Sequence, residues 1–167
     1  GKSTLLRALV ELHPFRGEIL FPLKSLIGYL PQHSPLDFQF PIQVSEFVGL
    51  GLWGKDSPLR TPAIENALNQ LKALELGPRS LTELSRGQFQ RVCLARTIVH
   101  KPDLLILDEP LTGLDEQTSD FLMDFLVSFR QQGGTILIVL HDEFRRKKYD
   151  INKIDIGEFQ SSAEMRA

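Results

Sequence analysis

Two apolar runs dominate the pattern of hydrophobic and polar positions along this chain, Leu104–Leu107 and Thr135–Leu140. A short run that is apolar at nearly every position is typical of a strand buried in a parallel sheet, because both faces of such a sheet are covered. Between the runs, apolar residues recur with helical spacing, at Phe121, Leu122, Phe125, Leu126 and Phe129. The pattern therefore predicts an α/β fold with a mostly parallel sheet, in which this helix makes a right-handed crossover.

Weaker patterns of the same kind predict the other elements. Helical spacing of apolar residues predicts four more helices, at about 2–12, 44–50, 61–76 and 85–100. Thr61 and Ser85 are the expected N-caps of the last two. Short strands are predicted at Gly17–Phe21 and Leu26–Leu30, and near Ile154 and Ile156. Phe38, Phe40, Phe47 and Trp53 are either core residues or part of a docking surface.

Composition narrows the function classes. The 167 residues suffice for one domain with a sizeable core, and 42% of them are hydrophobic. A formal net charge of -2 argues against a broad surface for nucleic acid or anionic lipid. The single cysteine, Cys93, excludes an internal disulfide and suits a reducing cytosol. The sequence contains no apolar run near the roughly 18 residues of a membrane span, and no signal peptide is expected.

Polar residues follow both apolar runs at the point where each strand should end. Asp108 and Glu109 follow the first run, and His141 follows the second. Ligands of parallel sheets bind beyond the carboxyl ends of the strands. One carboxylate could orient water on Mg²⁺ and the other could polarise an attacking water, while the histidine could contact phosphate. The alternatives are an acidic turn and an ordinary structural or surface histidine.

The first residues form the second half of the phosphate-binding pattern G-x-x-x-x-G-K-[ST]. Gly1 lets the backbone approach phosphate, Lys2 would reach the β- and γ-phosphates, and the Ser3 hydroxyl would coordinate Mg²⁺. A flexible terminus is the alternative for the segment Gly1–Thr4. Because the first glycine of the pattern and its preceding strand are absent, we expect a chain truncated within its nucleotide site.

Three further segments could serve either structure or phosphate binding. Ser85 and Gln88 have capping-box spacing, so the helix they open could simply be well capped, or its free N-terminus could bind phosphate. Gln32 follows a predicted strand and could bond a metal shell or the attacking water, although a polar loop residue is the simpler interpretation. Asp115 can cap the helix after the first apolar run.

Together these segments resemble the nucleotide-binding ATPase subunit of an ABC transporter. The corresponding segments are Walker A (Gly1, Lys2, Ser3, Thr4), the Q-loop (Gln32), the signature motif (Leu84, Ser85, Arg86, Gly87, Gln88), Walker B (Leu104–Glu109), the D-loop (Leu114, Asp115) and the switch histidine (His141). Arg86 stands where the family has glycine, and could add positive charge toward phosphate. The resemblance implies a P-loop NTPase (RecA-like) core at 1–33 and 101–167 without its N-terminal strands, and an inserted helical subdomain at 34–100.

The same resemblance implies the chemistry. ATP would be bound by Gly1, Lys2, Ser3 and Thr4 of one subunit and by Ser85, Arg86, Gly87, Gln88 and Asp115 of another, in a head-to-tail homodimer. Ser3, Gln32 and Asp108 would hold Mg²⁺. The catalytic residues would be Glu109 as general base, His141 and Gln32.

The implied partners are a transmembrane permease and, indirectly, a substrate-binding protein, with no nucleic acid. The subunit would lie in the cytoplasm, peripheral on the inner face of the cell membrane. The segment from Asp37 to Gly51 resembles the branch that imports zinc, manganese or iron. The alternatives are a truncated, non-catalytic remnant and a soluble ABC-type ATPase that acts on ribosomes or DNA.

Overall fold

A three-stranded parallel sheet lies at the centre of the computed structural model, which describes residues 1–21, 25–32, 41–52 and 60–155. The strands are β1 (Ile27–Leu30), β2 (Leu104–Asp108) and β3 (Thr135–Val139), with β2 between the other two. The register pairs Leu30 with Leu107 and Asp108 with Val139. All three strands therefore end at the same edge of the sheet, as the apolar runs predict.

The described part of the chain also contains six α-helices. They are α1 (Lys2–Leu9), α2 (Val44–Gly49), α3 (Arg60–Gln70), α4 (Arg86–Ile98), α5 (Glu116–Gln131) and α6 (Glu143–Lys148). Three 3₁₀ turns accompany them, at Leu50–Leu52, Leu74–Leu76 and Leu81–Glu83. Within the described ranges, no helix is long and apolar enough to cross a membrane.

The side chains of β2 alternate between two separate parts of the core. Ile106 packs with Leu6 of α1 and with Val139 on one face of the sheet. Leu105 and Leu107 point to the other face and join the larger core that includes residues of α4 and α5. All three β2 side chains are completely buried. This burial on both faces explains why the strand is apolar at every position before its terminal acid.

Close packing joins the helices between β1 and β2 to the sheet. Gly28 of β1 lies directly under α4, and a Cβ there would come within 2.8 Å of the Thr97 carbonyl oxygen. Farther out, the ring of Phe47 stacks on Phe89 with centroids 6.3 Å apart, and both rings are buried. The absence of a side chain at Gly28 thus lets α4 approach the strand that leads to Gln32.

Several predicted boundaries differ from the structure. Gly17–Phe21 forms no strand and Leu20 is 81% exposed, because no described strand lies beside this segment to pair with it. The third helix begins at Arg60, so Thr61 is not its N-cap, and it ends at Gln70. Beyond that end Lys72 has a left-handed φ of 49°, which interrupts the helical spacing.

The strand predicted near Ile154 is absent, whereas two of the predicted helices are present. Residues 151–155, which include Ile154, form no strand, and Ile156 lies outside the described residues, as do Phe38, Phe40 and Trp53. The helices predicted at 44–50 and 85–100 are present as α2 and α4.

Replacing Leu105 by alanine tests the packing of the central strand. We expect a loss of about 2–5 kcal/mol in the free energy of unfolding, since a fully buried leucine would leave a cavity. Urea denaturation followed by circular dichroism measures it. Leu20→Ala is the matched control and should change stability by less than about 0.5 kcal/mol, because Leu20 is exposed. Equal effects of the two substitutions would contradict the assigned burial.

Candidate functional site

The candidate site lies where the three strands end. β1 is followed by Gln32, β2 ends in Asp108 and continues to Glu109, and β3 is followed by His141. A small cleft of about 160 Å³ opens between the last two segments, lined by Glu109, Thr112, His141 and their neighbours. The parallel register thus brings together residues that are far apart in the chain.

The carboxylate of Glu109 is at the centre of this arrangement. Gln32 Nε2 donates a hydrogen bond to Glu109 Oε2 over 2.8 Å, and Thr112 Oγ1 donates to the same oxygen over 3.0 Å. His141 Nε2 lies 2.7 Å from the other oxygen, Oε1, and is assigned as the donor because the carboxylate can only accept. Donors from three separate segments thus hold both oxygens of Glu109.

These hydrogen bonds make Glu109 a stronger acid. The pKa of its carboxyl lies below the ordinary value, chiefly because His141 donates to it. Burial opposes this shift, and the hydrogen bonds from Thr112 and Gln32 add smaller contributions that lower the pKa. Each donor favours the ionised form. Glu109 is therefore an anion at neutral pH, and its side chain is 15% exposed, so water can reach it.

The backbone at Glu109 is held in an unusual conformation. Its φ is 50°, in the left-handed region that costs a residue with a side chain roughly 1–2 kcal/mol. Its N–H donates to the Val139 carbonyl of β3 over 3.2 Å, and its own carbonyl accepts from Thr112 N over 3.2 Å. The turn at the end of β2 thus directs the side chain toward His141 rather than onward along the strand.

Asp108 has a different environment from its neighbour. Its side chain is completely buried, and Ser3 Oγ donates to Oδ1 over 3.1 Å. Its other oxygen, Oδ2, is buried without a hydrogen-bond partner among the described residues. A buried carboxylate oxygen without a partner, next to a serine hydroxyl, fits a Mg²⁺ site, since this ion takes few protein ligands and completes its shell with water and phosphate.

No cluster of three or more histidine, cysteine, aspartate or glutamate side chains suited to a metal is present in the part of the chain that the structure describes. Such a cluster is not needed at a site where phosphate oxygens and water supply most of the ligands. The donor set Ser3–Asp108 is therefore compatible with Mg²⁺ and unlike a dedicated protein cage for a metal.

The N-terminus of α1 carries the predicted phosphate-binding residues. Gly1 is the N-cap and has no side chain to satisfy the first N–H groups of the helix. Lys2 and Thr4 are exposed in the first turn, and Ser3 reaches back to Asp108. No side chain among the described residues caps this helix start, and the N–H groups and dipole of a helix N-terminus attract an anion.

The predicted capping of α4 and α5 is confirmed. Ser85 and Gln88 form a reciprocal capping box, with Ser85 N donating to Gln88 Oε1 over 2.9 Å and Gln88 N to Ser85 Oγ over 3.3 Å. Asp115 caps α5 by accepting from Thr118 N over 2.8 Å, a bond that also holds the pKa of Asp115 low. Ser85 and Asp115 are therefore helix N-caps, as the structural interpretation predicts. Their contacts with nucleotide stay a proposal.

Two residues in the signature segment contact the chain that follows β2. A Cβ on Gly87 would lie 3.3 Å from the Thr118 side chain, so α4 and α5 start close together. Arg86 Nη2 donates to the carbonyl of Thr112 over 2.9 Å. The Arg86 side chain thus contacts the segment after β2 within the same subunit.

Sequence analysis missed Thr112, although it lies between two predicted motifs. The available signal was its spacing, since a hydroxyl three residues after Glu109 can reach the same turn. That spacing is too common to identify a site without the tertiary arrangement.

The comparison with protein families decides which family these residues belong to. The family described as "ABC transporter" matches residues 1–112, more than half of the 167 residues. The chain belongs to the ABC transporter ATPase family.

Relatives and solved structures agree with this family. The chain is 39% identical over 144 residues to the zinc import ATP-binding protein ZnuC of Haemophilus influenzae, covering 85% of this chain and 52% of the relative. It is 35% identical over 155 residues to the manganese transport system ATP-binding protein MntB of Listeria innocua, covering 85% of this chain and 65% of that protein. The chain therefore spans about half to two thirds of the length of these relatives.

Two solved structures share the fold. CbiO1 of Clostridium perfringens, part of the ABC transporter complex cbiONQ, matches with a TM-score of 0.71 and 33% identity over 85% of this chain and 63% of that one. The ATP-binding cassette MJ0796, solved as a dimer bound to ADP and Pi, matches with a TM-score of 0.60 and 27% identity over 71% of this chain and 53% of that one. The predicted P-loop NTPase fold is confirmed.

Titration tests the arrangement around Glu109. Since its folded pKa is lowered, Glu109 stabilises the fold above its unfolded pKa, and this contribution is lost as the pH falls through the folded pKa. His141→Ala removes the largest cause, so we expect the pKa of Glu109 to rise toward its ordinary value. Carbon-detected NMR of the Glu109 carboxyl measures this.

His13→Ala is the matched control for that titration. The His13 side chain is exposed, and its ring shares a hydrogen bond with the neighbouring Pro14 carbonyl rather than with Glu109, so its removal should leave the pKa of Glu109 unchanged. The assigned contact would be wrong if His141→Ala and His13→Ala left the same titration curve.

Proposed function

We propose that this chain binds ATP with Mg²⁺ and hydrolyses the ATP, as the ATP-binding subunit of a transporter that imports a divalent metal ion. The observation that carries the proposal is the ionised carboxylate of Glu109, held by His141, Gln32 and Thr112 beside the buried carboxylate of Asp108. Adjacent acids in such different environments suit two separate roles in phosphoryl transfer.

The residues of α1 would bind and orient the substrate. Lys2 would pair with the β- and γ-phosphates, and the N–H groups after Gly1, together with Thr4, would donate to phosphate oxygens. Ser3, Asp108 and Gln32 would hold Mg²⁺, which neutralises phosphate charge when bound. The hydrogen bond between Ser3 and Asp108 supports this assignment, because it already brings those two ligands together.

Glu109 would act as general base. Its carboxylate accepts a proton from water as the water oxygen forms a bond to the γ-phosphorus, and the bond from that phosphorus to the bridging oxygen breaks to give ADP and phosphate. Gln32 would orient the water through its amide. His141, 63% exposed and bonded to Glu109, would steady the γ-phosphate by donating to its oxygen.

The second half of the site would come from another subunit. In a head-to-tail homodimer, the segment Ser85–Gln88 and the turn at Asp115 would contact the nucleotide held by the partner's α1. The N-terminus of α4 supports this role through its N–H groups, which attract anions. The Arg86 side chain donates to the Thr112 carbonyl of its own subunit, so we assign the nucleotide contact of this segment to the helix N–H groups and not to the guanidinium.

We place the transported substrate among divalent metal ions because relatives at 39% and 35% identity are named for zinc import and manganese transport. The implied partners are a transmembrane permease and, through it, a substrate-binding protein, with the subunit on the inner face of the cell membrane. The helices between β1 and β2 would form the subdomain expected at 34–100, through which the permease is contacted.

Glu109→Gln in the full-length gene product tests the catalytic proposal. We expect the steady-state rate of phosphate release to fall by about 10²–10⁴-fold, since the amide cannot accept the proton. ATP-dependent dimerisation, measured by size-exclusion chromatography with light scattering, should persist because Glu109 is not placed in phosphate binding.

The control for Glu109→Gln is Glu75→Gln, the same substitution at an exposed position of the 3₁₀ turn Leu74–Leu76. Turnover should stay at the wild-type rate in this variant. Normal turnover by Glu109→Gln would exclude the proposed base, and an unmodified protein without ATP binding would favour the non-catalytic remnant.

Co-purification tests the transport assignment. Affinity isolation of the tagged full-length protein from detergent-solubilised membranes should recover a polytopic permease, and deletion of the gene should lower the cell content of zinc or manganese, measured by mass spectrometry. Recovery with ribosomes or DNA, and unchanged metal content, would support the soluble ATPase instead.

A further inference from the structure

The start of α4 is tied to the turn that follows the catalytic strand. Arg86 Nη2 donates to the Thr112 carbonyl over 2.9 Å, and Gln90 Nε2 donates to the Pro110 carbonyl over 2.7 Å. Both donors project from one helix and both acceptors belong to residues 110–112. We call this segment, residues 110–114, the Walker B turn, because it leaves the strand at Glu109.

The shape of the Walker B turn is matched to the Arg86 side chain. Gly113 has a φ of +73°, and a Cβ at this position would collide with the carbon and both terminal nitrogens of the Arg86 guanidinium. The planar group therefore lies directly against the Gly113 backbone. The guanidinium is therefore packed against the Walker B turn, although Arg86 as a whole residue is exposed.

Thr112 connects this contact to the catalytic carboxylate. Its carbonyl accepts from Arg86, its hydroxyl donates to Glu109 Oε2 over 3.0 Å, and its N–H donates to the Glu109 carbonyl over 3.2 Å. A shift of the Thr112 peptide would move the hydroxyl that holds Glu109. Two consecutive contacts thus join the signature segment to Glu109 within one subunit.

We propose that Arg86 is a positioning residue that orients the Glu109 carboxylate by fixing Thr112. This inference rests on the proposed function, because it assigns Glu109 as the base. Arg86 stands where the resemblance leads one to expect glycine, which has no side chain that could make this contact. If Arg86 acted by contacting phosphate directly, its hydrogen bond to the Thr112 carbonyl would have no effect on turnover.

A double-mutant cycle tests the proposal in the full-length gene product. Arg86→Met removes the donors and keeps an unbranched apolar stem, while Thr112→Val removes the hydroxyl and keeps the backbone carbonyl. We expect kcat to fall about fivefold in Arg86→Met and about tenfold in Thr112→Val, with the double variant close to Thr112→Val alone. The KM for ATP should stay within about twofold of wild type.

Arg91→Met is the matched control. Arg91 also projects from α4 and donates to a backbone carbonyl, but to that of Lys72 over 2.7 Å and not to one in the Walker B turn. The kcat of Arg91→Met should remain within about twofold of wild type, since no hydrogen bond among the described residues links Arg91 to Glu109 or Thr112. Arg86→Lys should recover most of the lost kcat, because its ammonium can still donate to the Thr112 carbonyl.

Hydrogen–deuterium exchange provides a readout that does not depend on turnover. The amides of Thr112 and Leu114 donate within the turn, to Glu109 and Leu111. Arg86→Met should speed exchange of the peptide covering 109–115 by about fivefold or more, and Arg91→Met should not.

Three results would overturn the proposal. A raised KM for ATP with unchanged kcat would assign Arg86 to phosphate contact, and additive effects of Arg86→Met and Thr112→Val would show independent roles. Unchanged exchange at 109–115 in Arg86→Met would show that Arg86 does not hold the turn. If the wild-type protein lacked turnover, the proposed function would fail, while the exchange measurement would still test the link between Arg86 and Thr112.

Discussion

Burial of β2 on both faces of the sheet is the constraint on which the site depends. Because α1 covers one face and α4 and α5 cover the other, the strand can carry polar side chains only where it ends. The flanking parallel strands end at the same edge, with Leu30 opposite Leu107 and Val139 opposite Asp108. The chemistry of the protein is thereby confined to one edge, where three strand ends supply the groups.

The two adjacent acids, Asp108 and Glu109, have different burial and different hydrogen-bond partners. Asp108 is completely buried and shares one oxygen with Ser3, so its second oxygen is suited to a cation. Glu109 lies one residue farther, in a left-handed conformation that turns it toward the cleft. There three donors stabilise its negative charge while leaving it accessible to water. A single peptide bond thus divides metal binding from proton transfer in the proposed mechanism.

The helix starts near this edge combine structural and functional requirements. The capping box of Ser85 and Gln88 and the cap of Asp115 satisfy backbone N–H groups that would otherwise face solvent. Such caps hold α4 and α5 at fixed positions beside the Walker B turn. The N-terminus of α1 has glycine as its N-cap and therefore no side-chain cap, which suits its N–H groups to a ligand. The difference follows from the residue at each N-cap, serine or aspartate against glycine.

Local patterns in the sequence were sufficient to determine the strands at 104 and 135, the acids at the end of the first, and the caps at Ser85 and Asp115. Each depends on residues within a few positions of one another, as do backbone conformation and helix capping. The burial predicted for the second strand was wrong except at Val139, because β3 is an edge strand of the described sheet. The strand predicted at Gly17–Phe21 was wrong because pairing depends on a neighbouring strand. Only the tertiary structure decided that Gln32 and His141, 77 and 32 residues from Glu109, hold its carboxylate, because strand order and register set those distances. It alone also directed Arg86 onto Thr112, since the direction of a long side chain is chosen by the surface it packs against.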